Sequence, residues 1–203
     1  MPSIPFPTAT STALTGFTRE LVGALEKGVP KGIRGVDGEK ALKQLFIVEQ
    51  ARVIRRTYPD LRVFSPPWGS EALCATHLEE AGKKGVPAET GCPQCWKESK
   101  SWVSTDAWGM RHNFDLAVRD TRSGEALVLE VKMFTRDKSP NEEIQRFLGQ
   151  LLLARSKHPI VLGVCGWLKN ANMGLFKDTD KVRNWCRNLG LGMVFVSVPS
   201  ATQ

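Results

Sequence analysis

No run of 18 apolar residues occurs in this 203-residue chain; the longest apolar stretches, 160–168 and 189–198, are too short to cross a bilayer. The N-terminus has no basic segment followed by an apolar stretch, so no secretory signal is expected. Cysteine is scarce: the five present are too few and too unevenly placed for a disulfide scaffold. An odd count with no leader points to a reducing, cytoplasmic setting, where clustered thiols bind metal more often than they pair. A GxxxxGK[ST] phosphate loop is missing, as is a GxSxG nucleophile turn, so neither ATP-driven chemistry nor that kind of serine catalysis is supported. No internal repeat is visible.

What the chain does have is a packable composition, with 41% hydrophobic and 24% charged residues. That excludes wholesale disorder, and at about 100–200 residues per domain it argues for one domain with room for an insert. Lys and Arg number 28 against 21 Asp and Glu, a net charge of +7. The excess favours a polyanionic partner, although a solvated basic surface gives the same number.

Pattern divides the chain. Residues 1–14 are rich in Pro, Ser and Thr and read as a loose arm, followed by a short helix over 17–27. GVPKGIRGVDG, with four glycines in eleven residues, is a loop, so 1–37 forms an N-terminal arm and helix. A long helix is expected over 39–57, with Asp37 as N-cap and Pro59 past its end, then a short strand over 62–64. Regular patterning resumes at 113 with strands over 114–118 and 126–133, a helix over 142–157, a strand over 160–165, a helix over 178–189 and a strand over 193–198. Mixed α/β is the class, a domain over 38–203 interrupted by a segment of different texture over 69–108.

On the 126–133 strand Glu130 and Lys132 are two residues apart, hence on one face, while Leu129, Val131 and Met133 point to the other. Pairing with the preceding strand through the Gly124 turn brings Asp115 within reach of Glu130. Two adjacent anions repel and are costly to bury unpaired. Mg²⁺ (or Mn²⁺) removes that conflict, activates water and neutralises charge developing on a phosphate, with Lys132 orienting the water or stabilising the transition state. The set suits phosphodiester hydrolysis. The plainer reading is a surface salt bridge between Glu130 and Lys132.

With FDLAV supplying Asp115, and VLEVKMF supplying Glu130 and Lys132, the chain resembles the PD-(D/E)XK nuclease superfamily over roughly residues 39–64 and 113–198. Phe114 stands where many members have proline. The resemblance implies a restriction-endonuclease-like fold, a mixed central sheet flanked by helices. It also implies that Asp115 and Glu130 bind the metal and Lys132 assists the attacking water. Members often carry a Glu on the first helix facing the site and a Gln on the helix after the catalytic Lys. At about 100° per residue Glu49 falls inside the apolar stripe of Leu42, Leu45, Phe46 and Val53, with Glu39 at its edge, so Glu49 is preferred over Glu39. A salt bridge from Glu49 to Arg52 or Arg56 is the alternative. Gln145 borders the face of Ile144, Phe147, Leu148, Leu151 and Leu152, and is preferred over Gln150. Single chains of this kind often work as homodimers or within larger nucleic-acid-processing complexes.

Cys74-x2-His77, fourteen further residues, then Cys92-x2-Cys95 is a more specific signal. Four such ligands make a closed tetrahedral zinc site, structural because no position is left for water or substrate; a redox Cys92–Cys95 pair or four unrelated residues are the competing readings. Gly91 and Pro93 suit the tight turn of a zinc knuckle, and Trp68, Trp96, Trp102 and Trp108 surround it, for packing or for stacking on bases. Two functions are therefore expected: a Mg²⁺-dependent DNA endonuclease with a zinc-stapled insert, or a non-catalytic zinc-containing nucleic-acid-binding or assembly module on the same fold. RNA stays open as a substrate.

Overall fold

The computed structural model describes residues 11–29, 39, 42–64, 104–107, 110–134, 140–168 and 178–198. Their elements are α1 (Thr12–Glu26), a π-helical segment (Leu42–Val48) running directly into α2 (Glu49–Arg55), β1 (Leu61–Phe64), β2 (Ser104–Ala107), β3 (Met110–Asn113), β4 (Leu116–Asp120), β5 (Ala126–Phe134), α3 (Pro140–Arg155), β6 (Ile160–Leu168), α4 (Thr179–Asn188) and β7 (Gly192–Val198). The main sheet has the order β1-β4-β5-β6-β7, antiparallel through β5 and parallel from β5 to β7, and β2 and β3 form a separate antiparallel pair. This is the mixed α/β class that the sequence pattern implied, with a mixed sheet flanked by helices as the resemblance led us to expect.

Strand alternation sorts β5 between two cores. Leu127, Leu129, Val131 and Met133 pack with α1 and the π-helical segment through Phe17, Leu21, Leu42 and Ile47. Val128 and Phe134 face Phe147 and Leu151 of α3 and Cys186 of α4. Both parallel crossovers step the same way across the sheet, so right-handed connections put α3 and α4 on one face. Two glycines of β6 allow close packing on both sides. A Cβ at Gly163 would stand 2.7 Å from Leu151 Cδ1 of α3, and one at Gly166 2.6 Å from Leu42 Cδ2 on the opposite face. Each fully buried Leu or Phe in these layers stabilises the fold by about 2 kcal/mol.

Residues 11–14, expected within a loose arm over 1–14, cap and open α1, so the helix expected from 17 begins at Thr12. Ser11 N-caps α1, its Oγ accepting from Leu14 N at 3.0 Å, and its own N–H donates to Glu125 Oε2 at 2.9 Å. Leu14 is fully buried. A capped first turn tied to the β4–β5 hairpin outweighs a Ser/Thr-rich composition, since such a cap contributes about 1 kcal/mol. The strand expected over 114–118 begins two residues later, leaving Asp115 in a bend. Within the span read as an irregular insert, 104–107 is a strand. Cys74, His77, Cys92 and Cys95, with the tryptophans around them, lie outside the described residues.

His158 follows α3 and sets its ring edge-on against Phe114, centroids 5.7 Å apart. Burial, with a smaller contribution from Lys157, holds its pKa down to about 4. Between the unfolded value near 6.5 and the native one, the unfolded chain takes up a proton that the native ring refuses. The stability this ring contributes is therefore present above about pH 6.5 and lost as pH falls toward 4. His158→Phe, which keeps a ring against Phe114, is expected to lose less melting temperature than the parent between about pH 7 and pH 4.5. Parallel melting curves for the two proteins would show that the ring is not held neutral.

Candidate functional site

The bend at Asp115 creates the site. The β4–β5 ladder pairs Leu116 with Leu129, and Asp115 N still donates to Leu129 O at 3.1 Å. Beyond this point β4 no longer follows β5, so the next inward N–H groups of β5 need other acceptors. Side-chain carboxylates supply them. Asp115 Oδ2 accepts from Val131 N at 2.8 Å, and Glu39 Oε2 accepts from Met133 N at 3.2 Å. The same two-residue period that gives these N–H groups one direction gives Glu130 and Lys132 one face.

An alternating charge network covers this edge. Lys43 Nζ stands 2.7 Å from Asp115 Oδ1 and 2.7 Å from Glu39 Oε1. Lys132 Nζ lies 3.7 Å from Glu39 Oε2 and 3.8 Å from Glu143 Oε1 on α3. Asp115 and Glu130 are buried, 7% and 8% exposed, which decides that their charges are poorly screened by water. Burial, and then the charge of Glu130, push the Asp115 pKa up to about 7, against the opposing pull of Lys43 and the Val131 N–H. Glu39 is held below its ordinary value: burial works the other way, but the hydrogen bond and charge of Lys43, the Met133 N–H and Lys132 outweigh it.

Divalent-cation chemistry fits these residues. Glu39, Asp115 and Glu143 stand around the two ammonium groups of Lys43 and Lys132, and Glu130 lies beside Asp115, so two buried carboxylates adjoin at the centre of the network. Among the described residues no group of three or more His, Cys, Asp or Glu gathers as a ready metal cage. A pair of hard carboxylates suits Mg²⁺, which keeps several waters and takes one or two protein oxygens.

The structure brings together Asp115, Glu130 and Lys132, but it changes the helix contributions. Glu49 is not at the site. Its side chain is 53% exposed and pairs with Arg52 at 3.3 Å, while Glu39 holds the place expected for Glu49. The cause is the π-helical segment. Bonds from i to i+5 take up extra residues per turn, so everything after Val48 is rotated away from a regular helical projection. Val53, expected in the apolar stripe, is likewise 49% exposed. Gln145 is exposed too, and Glu143, two residues nearer the start of α3, reaches Lys132 instead. Lys43 carried one sequence signal, its i,i+4 spacing from Glu39, which identifies a helix pair but not the contact with Asp115 seventy-two positions on.

A cavity of about 420 Å³ opens elsewhere, at the opposite end of β5, lined by Gly124, Glu125, Ala126, Arg155, Lys157 and His158. Its β5 contribution, Ala126, stands four positions before Glu130 on that strand. No helix among the described residues is long and apolar enough to cross a membrane.

No family model and no curated protein matches the chain. Among solved structures it is similar to an fdxN element excision controlling factor protein from Anabaena variabilis, at 20% identity and a TM-score of 0.31, over 50% of this chain and 83% of that one. It is similar in the same degree to an XisH family protein from Nostoc punctiforme, at 21% identity and a TM-score of 0.30, over 50% and 84% of the two chains. Likeness of that extent is partial, and the chemistry rests on this chain's own carboxylates and lysines.

Proposed function

We propose that this protein is a Mg²⁺- or Mn²⁺-dependent nuclease that hydrolyses phosphodiester bonds of DNA, by endonucleolytic cleavage in a restriction, defence, repair or recombination setting. The observation that carries the reading is the opposition of Asp115 and Glu130, two buried carboxylates kept in mutual repulsion with Lys132 two residues along the same strand face. Stability alone does not favour such a pair. When bound, the cation supplies Lewis acidity at the scissile phosphate and to the attacking water. Asp115 and Glu130 hold it. Lys132, partly exposed between Glu39 and Glu143, is placed to orient the nucleophile or to balance charge on the phosphate. The excess of basic residues draws a polyanion toward this acidic centre.

The test is cleavage of duplex, single-stranded and branched DNA, and of RNA, with and without Mg²⁺ or Mn²⁺. Binding without cleavage of any of them supports the second reading, a non-catalytic nucleic-acid-binding or assembly module. That reading draws on the short Lys43 contacts, which neutralise part of the acidic edge without a metal.

The zinc knuckle belongs to the same proposal. Cys74, His77, Cys92 and Cys95 hold one structural zinc per chain, because thiolates prefer zinc to magnesium and a closed four-ligand site exchanges slowly. Mild EDTA is expected to stop cleavage at once and added Mg²⁺ to restore it, with zinc retained throughout. Cys95→Ser is expected to lower the melting temperature even in excess Mg²⁺. Elemental analysis finding no zinc in protein prepared without chelator would remove the knuckle and leave the nuclease reading standing.

A further inference from the structure

Asp115 has two carboxylate oxygens, and each has a definite use. Oδ2 accepts from Val131 N at 2.8 Å, a hydrogen bond that replaces a missing ladder carbonyl and fixes the side chain. Oδ1 is the oxygen left for a cation, and Lys43 Nζ holds it at 2.7 Å. The Lys43 side chain is only 12% exposed, so the ammonium lies inside the charge network and not in bulk water. We propose that Lys43 is the built-in counter-cation of the site: its ammonium takes the position on Asp115 Oδ1 that a divalent ion needs, and must leave that oxygen before the ion binds. Lys43 thereby sets how much metal the site requires.

This rests on the reading of Asp115 and Glu130 as metal ligands and adds to it a competitor within the chain. Two features make the exchange feasible. Glu39 Oε1 binds the same ammonium at 2.7 Å, so Lys43 keeps one anionic partner after releasing Asp115 and is never stranded as a lone buried charge. It also sits in the π-helical segment, on a flexible four-carbon stem, and such irregular turns recur where a helix serves a site. Lys43 touches Asp115 and not the reacting atoms, which makes it a positioning residue.

The experiment measures binding, independent of cleavage. Mn²⁺ is titrated into the full chain and free Mn²⁺ is read by electron paramagnetic resonance, the site being defined as the component lost in Asp115→Asn. Lys43→Met removes the competing charge and keeps the apolar stem; its Mn²⁺ affinity is expected to rise by about tenfold or more. Lys43→Arg keeps the charge and can grip both carboxylates at once, so its affinity is expected to fall by several-fold. Mn²⁺ is also expected to raise the melting temperature of Lys43→Met more than that of the parent, because the metal-free variant lacks the ammonium that bridges Asp115 and Glu39. Unchanged or weaker binding in a folded Lys43→Met overturns the proposal. Should that variant fail to fold, unchanged or tighter binding in Lys43→Arg overturns it alone. If the parent binds Mn²⁺ through Asp115 but neither variant shifts the affinity, only the role of Lys43 falls. If no Asp115-dependent binding occurs in any of them, the metal-site reading falls as well.

Discussion

Replacing Asp115 or Glu130 by Ala is expected to abolish Mg²⁺-dependent cleavage, a loss of about three orders of magnitude or more, while nucleic-acid binding survives. The two effects separate because the carboxylates hold the cation and repel phosphate. Deleting one removes the catalytic ion and part of the repulsion together. Full turnover in either variant would sink the assignment. A companion measurement needs no substrate. Since the folded-state pKa of Asp115 is raised from 3.8 to about 7, its stability contribution is complete below about pH 4 and lost as pH climbs through 7. Asp115→Asn keeps an acceptor for Val131 N and has no charge to desolvate. In metal-free protein its melting temperature should match the parent near pH 4 and exceed it at pH 8, by an amount on the order of a few kcal/mol of stability. Mg²⁺ should then stabilise the parent and leave the variant unmoved, since a ligand raises stability only where it binds the native state.

Lys132→Ala is expected to reduce turnover by about two to four orders of magnitude with little change in substrate affinity. Its ammonium stands 3.7 Å from Glu39 and 3.8 Å from Glu143, looser than the 2.7 Å contacts of Lys43, and its side chain is 29% exposed. A charge held at that distance and partly exposed is available to a phosphate whose negative charge grows in the transition state. The measurement is single-turnover cleavage beside equilibrium binding of the same duplex. A fall in affinity with unchanged turnover of the bound complex would make Lys132 a phosphate contact and nothing more.

The outcome at each position follows from how local its determinant is. Glu130 and Lys132 were legible because strand alternation is a two-residue property, and the apolar residues alternating with them marked the opposite face as the one packed on α1 and the π-helical segment. The reach of Asp115 toward Glu130 followed from a hairpin, which is nearly as local, although the bend that ends β4 at Leu116 was not visible in a run as strand-like as FDLAV. The helix contributions failed for a single reason. A projection at a constant angle per residue carries any irregularity forward, and the π-helical segment before Glu49 moved Glu49 to solvent and left Glu39 and Lys43 over the sheet edge.

By itself, the sequence determined the mixed α/β class, most of the helices and strands, the face shared by Glu130 and Lys132, and a basic chain with an acidic centre. Only the tertiary structure decided which charges complete that centre. Lys43 meets Asp115, Glu39 meets Met133 N, and Glu143 meets Lys132. No pattern along the chain encodes those meetings, because they depend on where β4 leaves β5 and on which carboxylates lie close enough to satisfy the N–H groups exposed there.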